Sequence, residues 1–413
     1  MQSIFSQALN IEEPWFIQDV NFDNEKKRLD IFIDFRKGSK FEYVSASGEV
    51  LEGIVHDTKE KTWRHLNFFE HECYLRARVP RIRKKDNKVE TITTPWEGKM
   101  QGFTLLFEAL ILQLCTGMPV LTASQIVNVS DDKIWSMLQR YVDEAISYMS
   151  LENLEILGLD ETSQKKHHNY ITLFVDLLKR KIVYIADGKS NRTLQDFVSH
   201  LESHGGDPEK IRDVSSDMSP AFIKGVKENL PNAEITFDKF HILKIINEAV
   251  DKVRREESKE QIELKGNRYL FLKNNQNLTI KQRAKLDELK MSNLNLKAIR
   301  ALHIRENFQE IYNSYSIDDF EIKLKKWYFW ATHSKLTPMI IAAKTIKRHW
   351  NGVLRWWSSQ INNGILEGLN SIIQAAKSKA RGYRLARNFK IIAYLLVGDI
   401  NLNLVNKAYT NFK

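Results

Sequence analysis

Hydrophobic and polar residues change rhythm along this chain. Over residues 1–95 the period is two: "RLDIFIDF" (28–35) alternates as a half-buried strand does, and "ECYLRARVPRIRKK" (72–85) alternates with Pro80 interrupting it. Arg76, Arg78, Arg81 and Arg83 take the polar positions of the second segment. They predict a strand face that is either cationic toward a ligand or simply solvated. Over residues 96–150 the rhythm becomes helical. "GFTLLFEALILQLCTG" reads as an apolar helix closed by Gly117. After it, Ile126, Val129, Ile134, Leu138 and Val142 keep helical spacing, and Thr122 and Ser130 are suitable N-caps. A short helix, a turn at "NVS" and a longer helix predict a helix-turn-helix, or a plain helical hairpin. Its second helix would present Lys133, Gln139 and Arg140 outward, toward base edges in a major groove.

Residues 151–246 alternate strands and helices. "LEILGLD", "YITLFVDLL", "KIVYIADG" and "IRDVSSD" read as strands, and "TLQDFVSHLESHGG" reads as a helix closed by glycines. "SPAFIKGVKENLP" opens a helix on Ser219 and Pro220, and "AEITFDKFHILKIINEAVDKVRR" turns from strand to helix. Three strands, a helix, a strand, a helix and a strand is the order of a ribonuclease-H-like fold. Residues 247–350 are helical in pattern almost throughout, with Thr279 and Gln282 at capping-box spacing. Trp327, Trp330, Trp350, Trp356 and Trp357 gather there, either to stack on bases or as the core of a helical domain. The expected fold class is α/β: a ribonuclease-H-like core (151–246 and 351–413) interrupted by an all-α insertion (247–350). A β-rich module (1–95) and a helix-turn-helix (96–150) precede it.

Composition narrows the partner. Lys plus Arg number 62 against 52 Asp plus Glu, a formal +10 on 413 residues, which favours a polyanion and nucleic acid first. Two cysteines, Cys73 and Cys115, build neither a disulfide framework nor a Cys-based zinc site, and they fit a reducing cytoplasm. No basic, apolar leader and no long apolar run points to export or to a membrane. A cytoplasmic, nucleoid-associated protein is expected.

The chemistry concentrates in "ILGLDETS" (156–163) and "VSSDMSPAF" (214–222), which put Asp160 and Asp217 at the ends of apolar or β-branched runs. Each could cap a turn. Together, carried on neighbouring strand ends, they would suit a hard divalent ion such as Mg²⁺, which prefers oxygen ligands. A third acid is sought on a late helix. In "NNGILEGLNSIIQAAKSKARGYR" (362–384), Glu367 and Asn370 share a helical face, with Lys377, Lys379, Arg381, Arg384 and Arg387 following.

These blocks, with "DKFH" between them, resemble DDE transposases of the ISL-three insertion-sequence family over about residues 40–400. The resemblance implies that Asp160, Asp217 and Glu367 form a catalytic triad holding Mg²⁺, with Mn²⁺ able to substitute. Asp238, His241 and Asn370 would support it. It further implies binding to terminal inverted repeats and to target DNA, metal-dependent strand cleavage and transfer, and a homodimer or higher multimer on DNA. Phosphate contacts are expected from Arg81, Arg83 and Lys84, and DNA contacts also from Lys377 and Arg381. Relatives usually open with a zinc module of two Cys-x-x-Cys pairs. Here residues 56–88 keep its framework, while the ligand positions fall on Val44, Ser47, Lys84 and Asn87. That substitution predicts a degenerate, zinc-free module. A regulator derived from a transposase, binding DNA without catalysis, is the alternative.

Overall fold

A computed structural model describes residues 2–45, 48–85, 87–165, 169–188, 190, 192–292, 295–359, 361 and 364–412. The chain divides into two compact units. Unit 1 comprises residues 1–149, 375–396 and 400–413; unit 2 comprises 150–374 and 397–399.

Unit 1 is built on β1 (Trp15–Asp23), β2 (Arg28–Phe35), β3 (Lys40–Val44), β4 (Val50–Arg64), β5 (Glu72–Arg83) and β6 (Val89–Thr91). They form one sheet in the order β1-β2-β5-β4-β3, with β6 on β5. Leu29, Ile31 and Ile33 of β2 and Leu75, Ala77 and Val79 of β5 are buried, and they pack with Trp15 and Trp63 in one apolar cluster. Alternation therefore does set the inner face. After Pro80 the phase changes, and Ile82 is buried instead.

The arginines of β5 are not a free cationic face. Arg76 bonds Asp30 at 2.7 Å, Arg78 lies 3.3 Å from Asp34, and Arg81 pairs with Asp57. Arg83 meets the His56 ring at 3.1 Å. Asp30, buried at 6%, also holds Arg28, and the charge of its two guanidiniums keeps its carboxyl below the usual range. The acids sit on β2 and β4, across the sheet from their partners, which a reading of β5 by itself cannot show.

Beyond the short helix Gln2–Ala8, unit 1 carries three helices over residues 96–150, the first of them Leu105–Gly117, capped by Thr104, whose side chain accepts from the Phe107 amide. The helices Val120–Val127 and Asp131–Ser147 follow, joined through Asn128 in the left-handed region at φ 52°. The first of this pair starts two residues before Thr122, so Thr122 is not its cap. Glu108 is fully buried and accepts from the amides of Lys99 and Met100 and from the Tyr141 hydroxyl. It thereby ties the first helix to the third.

Unit 2 contains β7 (Ile156–Lys165), β8 (Asn169–Asp176), β9 (Lys181–Asp187), β10 (Asp213–Ser216) and β11 (Glu234–Phe237), in the order β11-β10-β7-β8-β9. β7, β8 and β9 form an antiparallel meander, while β10 runs parallel to β7 and β11 parallel to β10. The helix Arg192–Ser203 joins β9 to β10, and the helix Pro220–Asn229 joins β10 to β11. From the helix Lys239–Glu257 onward, unit 2 is helical as far as Gln374. One apolar cluster runs from Phe237 to Val353 and includes Phe308, Phe320, Trp327 and Trp350. Trp356 and Trp357 pack against it, whereas Trp330 stays 42% exposed. Most of the tryptophan group is therefore core.

Candidate active site

Register alone levels the acids. β10 pairs with β7 through Ser215↔Gly158, so two residues further on Asp217 stands beside Asp160. β11 pairs with β10 through Ser216↔Phe237, so Asp238 stands beside Asp217. Parallel neighbours lie roughly 4.8 Å apart. Three aspartates thus form a row: Asp217 and Asp238 just past the carboxyl ends of β10 and β11, where open α/β sheets place their ligand crevice, and Asp160 level with them midway along the longer β7.

Each acid is held differently. Asp160 accepts from the Glu161 amide at 2.8 Å and from the Asn370 side-chain amide. Asp217 accepts from the Ser219 amide at 2.9 Å, at the N-cap of the next helix. Asp238 caps the helix Lys239–Glu257 through the Phe240 amide, and its second oxygen meets His241 Nδ1 at 2.9 Å. The His241 pKa is raised, first by that bond and then by the charges of Asp238, Asp217 and Asp160. Burial pushes the Asp160 carboxyl up to about 6, with the Asp217 charge adding to it, although its donors and His241 act against the shift.

The helix Gly364–Lys379 supplies the other wall. It comes close because β7 carries glycine at 158: a Cβ there would meet Leu177 and Leu366 side-chain carbons, each at 2.8 Å. Leu366 is buried, and Asn370 reaches Asp160 from the same helix. Asn370 Oδ1 is buried without a hydrogen-bond partner. One turn on, Gln374 donates to Thr162 Oγ1 at 2.6 Å and to the Ser163 carbonyl at 3.2 Å. Sequence reasoning missed Gln374 and Thr162. Their signal was the four-residue spacing from Asn370 along the same helical face.

Glu367 lies one turn before Asn370 and is exposed. Among the described residues, no three of His, Cys, Asp and Glu stand close enough together to form a metal-ligating group. Strand register and hydrogen bonds associate Asp160, Asp217, Asp238, His241 and Asn370 without closing them into a metal-ligating group, and Glu367 stays exposed on its helix.

The expected DNA contacts are dispersed. Lys133 and Arg140 are exposed on the helix Asp131–Ser147, with Lys133 over the Phe103 ring and Arg140 bonded to the Lys99 carbonyl. Gln139 is tied to Asp143 at 2.7 Å. Lys84 pairs with Glu90, Lys377 lies over the Phe389 ring, and Arg381 follows its helix at φ 56°.

Comparison with known proteins gives the family of each segment. Residues 157–393 match a family model described as a transposase, and residues 92–142 match the helix-turn-helix domain of transposase family ISL3. Residues 48–83 match the zinc-finger of transposases IS204, IS1001, IS1096 and IS1165. The chain is 26% identical to the transposase for insertion sequence element IS1001 of Bordetella parapertussis, over 80% of this chain and 82% of that one. It is 25% identical to the transposase for IS1557 of Mycobacterium tuberculosis, over 78% of each.

The zinc-finger match corrects the expectation of a module without zinc: the segment is a zinc-finger family's, which points to zinc binding. Counting Cys-x-x-Cys pairs was too narrow a test, because zinc also accepts imidazole and carboxylate. The segment carries His56, His65, His71 and Cys73. As folded, His65 Nδ1 meets the Thr104 hydroxyl and His71 Nε2 meets Asn24. Cys73 is in the core, with burial holding its thiol up to about 12. Of the ligand positions read from the resemblance, Ser47 lies outside the described residues; Val44, Lys84 and Asn87 offer no thiolate.

Proposed function

We propose, for a chain that belongs to the ISL3 family of transposases, that the row of acids on its second sheet is the site where DNA is cleaved and joined at the ends of a bacterial insertion sequence. The observation carrying this is the level pair Asp160 and Asp217, partly buried, with the Asp160 carboxyl raised to about 6. The sheet order β11-β10-β7-β8-β9, with a meander and two parallel strands, supports reading 151–246 as a ribonuclease-H-like core followed by an all-α insertion at 247–350; of the expected last part of that core, 351–374 fall in the same unit and most of 375–413 in unit 1. Residues 1–95 and 96–150 are assigned to recognising terminal inverted repeats. A homodimer or higher multimer is assigned to pairing the two ends.

The donor set fits Mg²⁺. Asp160, Asp217, Glu367 and the orphaned Asn370 Oδ1 are all oxygen donors, as hard cations require. When bound, such an ion supplies Lewis acidity to water and to the leaving 3′ oxygen. The residues do the rest. Asp160 and Asp217 hold the site from adjacent strands. Asn370 orients the Asp160 carboxylate by donating to it. Asp238 fixes the His241 ring beside both acids, where a protonated imidazole would balance the charge of an incoming phosphodiester. Glu367 completes the set from the helix once DNA is in place. No side chain is assigned as a nucleophile.

The test is metal-dependent cleavage of a duplex carrying the element's end. Asp217→Ala should abolish both cleavage and joining while end binding persists. Cleavage at the wild-type rate would overturn the assignment, and a wild-type chain that binds ends without cutting would favour the non-catalytic regulator.

A further inference from the structure

The acid row accounts for the first turn of the helix Lys239–Glu257 but not for the face beyond it. There the helix walls a cavity of about 600 Å³ within unit 2, inside the roughly 300–1,000 Å³ range of small-ligand sites. Three features line it. Phe240, the residue before His241, is 58% exposed. Asn247 presents an amide whose Oδ1 is buried without a hydrogen-bond partner. Asp251, buried at 8%, is approached by Arg254 at 2.8 Å, Arg255 at 3.4 Å and Arg268 at 3.5 Å. One carboxylate does not balance three guanidiniums, and Lys244 and Glu248 on the same wall cancel each other.

We propose that this cavity takes one nucleotide of a DNA strand, its base against Phe240 and Asn247 and its phosphate on Arg255 and Arg268. The three features make different demands. A free inorganic anion would answer the guanidiniums but carries no suitable donor for Asn247 Oδ1 and no flat face for the ring. An apolar ligand would leave the charge unanswered. A nucleotide meets all three: a π-face for the phenyl ring, ring or exocyclic N–H for the amide oxygen, and a phosphate for the guanidinium forks. Position agrees, since the Phe240 amide donates to Asp238, which stands beside Asp217 in the strand register. The nucleotide would lie close to the one being cut. This rests on the DNA reading above and adds to it a site for an unpaired base.

The test uses the full chain with no Mg²⁺ or Mn²⁺ added and no chelator, so that no cleavage intervenes and zinc stays in place. The probe is a labelled single-stranded pentanucleotide containing 2-aminopurine, with a duplex of unrelated sequence as reference and deoxyadenosine monophosphate as competitor. Phe240→Ala should weaken strand binding about tenfold and remove the quenching of 2-aminopurine, leaving duplex affinity unchanged. Arg255→Ala with Arg268→Ala should weaken strand binding and flatten its salt dependence. If Phe240→Ala and Asn247→Ala both bind the strand as the wild type does while duplex binding persists, the pocket assignment falls and the DNA reading stands. If neither DNA binds, both fall. If the mononucleotide displaces the strand at equal concentration, the site serves free nucleotides and the assignment to a strand is overturned.

Discussion

Two sheets of this protein carry charged residues at their strands, and they treat them in opposite ways. On the N-terminal sheet every arginine of β5 finds a counter-charge or a ring: Arg76 on Asp30, Arg78 on Asp34, Arg81 on Asp57 and Arg83 on His56. On the other sheet Asp160 and Asp217 stand side by side with amide donors and one histidine, but no arginine or lysine is bonded to either among the described residues. The difference separates structure from chemistry. A balanced charge ladder stabilises a sheet face and asks for nothing more. An unbalanced acid pair costs stability by itself and is retained where a cation and a phosphate complete it.

The largest effect that would break this contrast is at the acids. Glu367→Gln should cost on the order of a thousandfold in cleavage rate, because exchanging an anionic carboxylate ligand for a neutral amide removes several kcal/mol of transition-state stabilisation and each 1.36 kcal/mol is tenfold. Cleavage within a few fold of wild type would remove Glu367, exposed as it is, from the site. Next, Asn370→Ala frees the Asp160 carboxylate and should cost roughly 10–100-fold in rate or in metal affinity, the usual penalty for an outer partner. An unchanged rate would make that bond incidental.

A third prediction concerns the N-terminal unit. Burial, with the Arg64 charge, lowers the His65 pKa to about 4. Between pH 6.5 and about 4 the unfolded chain therefore takes up a proton that the folded chain refuses. Stability should fall as pH drops through that window, by at most about 3 kcal/mol at 1.36 kcal/mol per unit. Urea midpoints across pH should show this slope, and His65→Gln should flatten it. The smallest effect sharpens the contrast itself. Arg81, already paired, should contribute less to the salt dependence of duplex binding than exposed Lys133 does. A free phosphate contact contributes roughly 0.9 to the slope of log affinity against log salt, and Lys133→Ala should lose more of it than Arg81→Ala.

Much of this was legible in the chain because it is written in local spacing. The strand runs around Asp160 and Asp217 lie where β7 and β10 form. Ser219 with Pro220 and Thr279 with Gln282 cap the helices they were expected to open. What the chain did not show depends on partners distant in sequence. The acids that neutralise the β5 arginines lie on β2 and β4. Gln374 bonds β7 across more than two hundred positions. Gly158 owes its role to Leu366, which only the fold brings near. Zinc was misjudged for a related reason: the absent cysteine pairs were given more weight than Cys73, His65 and His71, which lie in the segment that matches the zinc-finger family.

The central claim is that Asp160 and Asp217 together hold a divalent cation. Paramagnetic resonance of Mn²⁺ bound to the full chain, with its end duplex present, tests it most directly. The wild type should bind Mn²⁺ at a site that Mg²⁺ displaces, and Asp217→Asn should lose that site while keeping the duplex. Equal Mn²⁺ binding by the wild type and by Asp217→Asn would contradict the account.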